Sequence, residues 1–82
     1  MTTERYRFHC TDGQHAVFDR VGKRVADPAL VLGHAERIAG QMMAGSGEHM
    51  DWSDWIVDIH DGNGRHVGTL AFTEIRSFQQ AA

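Results

Sequence analysis

Eighty-two residues make one domain spanning 1–82, and a chain this short buries a limited core. Eight Lys and Arg against eleven Asp and Glu, a net charge of −3, argue against a nucleic-acid partner. No apolar run is long enough to cross a membrane, residues 1–9 lack a signal-peptide layout, and the single Cys10 excludes an intramolecular disulfide, so a cytoplasmic domain with no membrane partner is expected.

Residues 1–4 are expected to fray. Arg5-Tyr6-Arg7-Phe8-His9-Cys10 alternates polar and apolar side chains, which places Tyr6, Phe8 and Cys10 on one face of a strand. Asp12-Gly13 is a hairpin-turn dipeptide. A two-residue turn there pairs Cys10 with His15 and Phe8 with Val17, and the return strand, 15–19, puts Phe18 on the opposite face from Val17. Residues 20–24 are polar and interrupted by Gly22, which reads as a bend, with Val25 the core contact beyond it.

Asp27-Pro28 is a helix start, with Asp27 as N-cap and Pro28 where its missing N–H costs nothing. The predicted helix covers about 28–44. Val31, Ala35, Ile38 and Met42 fall on one stripe with Ala39 beside them, while Arg37 and Gln41 face solvent. Gly33 and Gly40 each weaken it by about 1 kcal/mol relative to alanine, leaving a slim helix that can lie close to a sheet. Gly45 is the expected stop.

The stretch 52–72 reads as a second hairpin. Trp55, Val57 and Ile59 alternate with Ile56, Asp58 and His60, and Asp61-Gly62-Asn63-Gly64 breaks the pattern before a return strand over 66–73. Two registers are open. A turn on Gly62-Asn63 sets Ile59 opposite His66 and Trp55 opposite Leu70, with Leu70 and Phe72 in the core. A type I turn ending with Gly64 in a bulge sets Ile59 opposite Val67 and turns Leu70 outward. The first is favoured, because exposing Leu70 and Phe72 forfeits about 1.5–3 kcal/mol each. Residues 74–82 are expected to fray, with Ile75 and Phe78 able to dock on the body.

The order ββαββ predicts an α+β domain: a four-stranded antiparallel sheet with one helix packed on one face. The other face would carry Phe18, Ile56 and Val67, with Ile75 and Phe78 from the tail. Leftover apolar surface of this kind marks an interface.

Tyr6-Arg7-Phe8-His9, Asp12-Gly13, Asp19-x-x-Gly22, the helix start at Asp27 and Trp52-Ser53-Asp54-Trp55 together resemble a family of short bacterial proteins that share a domain of unknown function. The resemblance spans about 5–73. Arg7 stands where the family often has an aromatic residue, and Cys10 where leucine is common. Val25 and Ala71 are similarly loose matches. The resemblance implies an architecture and a bacterial cytoplasmic setting, and no activity.

Six histidines, at 9, 15, 34, 49, 60 and 66, are the compositional oddity. None stands four residues from another on the helix and no Cys-x-x-Cys accompanies them, so solvated or interface histidines are the ordinary reading. A weak zinc or nickel site would use His9 or His60 with Asp58. His15 and His66 are expected at the turn ends of the covered face. Cys10 beside His15 is the minimal nucleophile pair, but a buried free cysteine behaves as a small hydrophobe and no orienting third residue follows. Asp51, Asp54, Asp58 and Asp61 lack the spacing of a calcium loop and fit turn formation.

No enzyme and no cofactor are therefore expected. The leading expectation is a non-enzymatic protein-interaction module, a homodimer through Phe18, Trp52, Ile56 and Val67. The alternative is a small-ligand or weak metal-binding protein that uses histidines at the hairpin ends.

Overall fold

A computed structural model describes residues 4–45 and 50–75. Its strands are β1 (Glu4–Thr11), β2 (Ala16–Val17), β3 (Lys23–Val25), β4 (Ile56–His60) and β5 (His66–Ala71). A 3-10 turn, Pro28–Leu30, leads into helix α1 (Val31–Gly45), and a second, Phe72–Glu74, follows β5. The class is α+β as expected, with all pairings antiparallel in the order β2-β1-β4-β5 and β3 also on β1. No helix among the described residues is long and apolar enough to cross a membrane.

The alternation of β1 explains why it lies centrally. Tyr6, Phe8 and Cys10 are buried and form one core with Trp55, Val57, Ile59, Leu70 and Phe72. The helix closes this core with Val31, Ala35 and Ala39, while Ile38 and Met42 pack at its margin. Small residues bring the helix close to the sheet: Ala35, Ala39 and Gly40 are all buried. Asp27 caps as expected, its Oδ1 accepting from the Ala29 N–H.

The first hairpin departs from its predicted register. Cys10 faces Val17 and Thr11 faces Ala16, two residues on from the expected pairing. A four-residue loop replaces the tight turn because side chains hold it open. Asp12 Oδ1 accepts from Gln14 and His15 N–H, and Thr11 Oγ1 donates to the His15 carbonyl. The return strand is also split, and the expected bend at 20–24 contains the start of a fifth strand. β2 ends at Val17, and β3 resumes with Val25 opposite Glu4.

Asp19 fills the gap between the two pieces. Phe8 N–H donates to Asp19 Oδ2 at 3.1 Å, and the Val21 and Gly22 N–H groups donate to Oδ1. Gly22 sits at φ +79°, and an added Cβ would lie 2.7 Å from Arg5 Cγ and 2.9 Å from the Tyr6 carbonyl oxygen. Only glycine passes there without displacing β1.

The second hairpin combines parts of both predicted registers. Its turn is the one not favoured: Gly64 N–H donates to the Asp61 carbonyl, and Gly64 sits at φ +83°. That turn pairs His60 with His66, not Ile59 with His66. A bulge then inserts Val67, so Ile59 faces Gly68 and Val57 faces Leu70. Leu70 and Phe72 are therefore core residues, 5% and 1% exposed, as expected. The extra residue reconciles the turn chemistry with the apolar pattern.

The predicted ends shift too. Glu4 belongs to β1, and order continues through Glu74 to Ile75, which is fully buried in the helix-covered core and not on the other face. Phe78 and His49 lie outside the described residues.

Candidate functional site

The period of two that buries Tyr6, Phe8 and Cys10 sends Arg7, His9 and Thr11 to the opposite face of the sheet. Cross-strand register sets His9 opposite Asp58, Thr11 opposite Ile56 and Arg7 opposite His60, and it continues to Thr69 and His66 on β5. No described helix or strand lies over this face.

The rings there form a continuous row. Phe18 packs edge-on against His9 with centroids 5.5 Å apart, His9 lies 5.4 Å from His60, and His60 lies 5.5 Å from His66. His66 Nε2 donates to Asp58 Oδ1 at 2.7 Å and lies 2.8 Å from Thr69 Oγ1. His9 Nδ1 accepts the Asp19 N–H at 3.0 Å, which leaves the proton of the neutral ring on Nε2. His60 Nδ1 is buried and has no hydrogen-bond partner among the described residues. A buried nitrogen left unmatched costs about 1–3 kcal/mol.

The three residues weighed for metal binding, His9, Asp58 and His60, are thus neighbours on one face. Two of them are already occupied by the fold, His9 by Asp19 and Asp58 by His66. Among the described residues no three imidazole, thiol or carboxylate groups are placed to hold a metal ion.

The expected contact residues separate. Phe18 is 65% exposed, Val67 is 49% exposed and Ile56 is half-buried on the histidine face. Trp52 belongs elsewhere: it stacks on Phe72 at 5.2 Å and meets Trp55 edge-on at 5.2 Å, on the core side. Trp52 N-terminal to β4 falls within reach of the aromatic end of the core, and that contact removes it from the proposed patch.

His15 and His66 also depart from expectation. His15 lies exposed in the first turn near Asp12, and the register shift moves it away from Cys10. His66 joins the open face because Gly64 ends the turn. Cys10 is buried, and burial, reinforced by the Asp19 charge, pushes its thiol up to about 11, so it stays protonated at neutral pH. The acidic run resolves into separate roles: Asp51 accepts from Ser53 N–H, Asp61 from Asn63 and Arg65 N–H, and Asp58 holds His66.

One grouping was not anticipated. His34, three residues after Val31 and four before Ile38, lies on the edge of the helix stripe and meets Phe8 edge-on at 4.8 Å. Burial holds its pKa below the ordinary imidazole value, and the nearby Lys23 and Arg37 charges add to this against an opposing effect of Asp19. The spacing 31–34–38 carried that signal.

A one-helix antiparallel domain, with aspartates closing its turns and a histidine row on its open face, is the class defined by these features. The sequence pattern of the domain of unknown function DUF6894 matches residues 5–73, and the chain belongs to that family. No curated protein and no solved structure matches it. Asp12-Gly13 and Asp19-x-x-Gly22, the short motifs that carry the resemblance, each serve the fold through the hydrogen bonds described above.

Proposed function

We propose that this protein is a non-enzymatic interaction module that pairs with a second copy of itself through the helix-free face of its sheet. The observation that carries this reading is the ring row Phe18–His9–His60–His66, flanked by half-buried Ile56 and exposed Val67. Rings packed edge to face present both edges and faces to a second copy, and a two-fold axis sets the same patch on both partners. The short chain supplies the motive, since a small core leaves stability to be gained by association. The buried, protonated Cys10 supports a reading without nucleophilic chemistry.

Light scattering on a size-exclusion column tests it. A dimer is expected at about 100 µM, well above a micromolar dissociation constant. Phe18→Asp should give a monomer with an unchanged circular dichroism spectrum. A strict monomer for the unaltered chain at that concentration overturns the proposal.

A further inference from the structure

We propose that the groove between β3 and the start of α1 binds a small phosphomonoester with a compact apolar body. Lys23, His34 and Arg37 bring the polar side chains, Val25 and Leu30 the apolar wall, and Gly33 leaves the helix side open, while the alternation of β3 sends the Arg24 side chain to the other face of the sheet. The cavity measures about 330 Å³, at the lower end of the roughly 300–1,000 Å³ usual for small-molecule sites, which selects a small ligand over a dinucleotide.

Charge selects the anion. The chain carries net −3, yet Lys23 and Arg37 both turn their charges to this one groove. Among the described residues, neither has an ion-pair partner; the ion pairs found are His15–Asp12 and His66–Asp58. Lys23 and Arg37 also lie near enough to His34 to disfavour its protonation. A guanidinium fork and an ammonium together match the charge of a phosphate dianion better than that of a single carboxylate. Leu30, 63% exposed at the rim, gives the ligand's apolar part a surface to lie on. This site lies on the helix side of β3, away from the histidine row, and does not depend on self-association.

The test is an NMR titration of the full ¹⁵N-labelled chain with phenyl phosphate, inorganic phosphate and phenol at constant ionic strength. Phenyl phosphate should give saturable shifts at residues 23–26 and 30–37 with a Kd of about 1 mM or lower, and inorganic phosphate should bind the same residues more weakly. The added anion sits beside Lys23 and Arg37 and offsets their charge, so the His34 ring should titrate at higher pH when the groove is filled. Lys23→Gln and Arg37→Gln should each weaken binding about tenfold, while Arg24→Gln, on the other face of β3, and Arg65→Gln, on the second hairpin, should not. Both Lys23 and Arg37 are exposed, so circular dichroism should be unchanged. Shifts that do not saturate, that spread equally to Arg20 and Arg65, that persist at full strength in Arg37→Gln, or that phenol reproduces would overturn the proposal.

Discussion

The two hairpins solve the same problem by opposite means. In each, the return strand cannot follow its partner without interruption. In the first, the ladder breaks after Val17 and a carboxylate stands in for the missing strand, Asp19 taking the Phe8 N–H that a backbone carbonyl would have taken. In the second, the ladder continues, and one extra residue at Val67 absorbs the mismatch between turn and core. The first hairpin therefore depends on the identity of the side chain at position 19, whereas the second accommodates one residue more than a regular ladder holds.

The sharpest break of that comparison is at Leu70. Leu70→Ala should cost about 2–5 kcal/mol in urea unfolding, because the bulge turns this side chain inward. A loss below about 0.5 kcal/mol would mean that the strand runs without the bulge and Leu70 faces solvent.

Gly22→Ala comes next, at about 1–3 kcal/mol by the same measurement, since it sets a Cβ at positive φ against β1. Asp19→Asn is nearly isosteric but turns an amide donor toward a backbone donor, and about 1–2 kcal/mol should be lost.

That substitution also changes the acid limb of stability. Burial pushes the Asp19 carboxyl up, but the N–H groups of Gly22, Phe8 and Val21, with His9 nearby, more than offset this and hold it below the ordinary value. A lowered folded-state pKa stabilises above the unfolded carboxylate range and is lost as pH falls through the folded value. The unaltered protein should lose that contribution in acid, and the Asn variant should show a shallower decline below about pH 4.

The smallest effect is expected for deletion of Val67. Removing it lets His60–His66 and Ile59–Gly68 follow as regular neighbours, so every partner beyond them is kept. The cost should stay below about 1 kcal/mol, and the Trp55 indole signal in an NMR spectrum should keep its position.

Much of this architecture was legible from periodicity. Tyr6, Phe8 and Cys10 alternate into the core, the Val31 stripe sets the helix face, and the apolar pair Leu70 and Phe72 demanded burial. Turn geometry was the part that escaped. Asp12-Gly13 suits a tight turn in isolation, but Thr11 and Asp12 both offer side-chain oxygens that hold a wider loop. Asp19 read as the last residue of the return strand, because its role rests on an N–H eleven residues back in the chain. His9, Asp58 and His60 were placed together by alternation alone, whereas His66 needed the turn that ends at Gly64 to be located, and Trp52 needed the tertiary position of Phe72.

The central place of β1 also governs the order of events on the ribosome. β1 is paired along one edge by β2 and β3, soon after it in the chain, but its other edge waits for β4, with Phe8 facing Ile59 fifty-one residues later. Until that segment emerges, Tyr6, Phe8 and Cys10 have no sheet neighbour on that side, and α1 has only half a surface to cover. Collapse is thus deferred to the arrival of the second hairpin, which closes the domain in one late step.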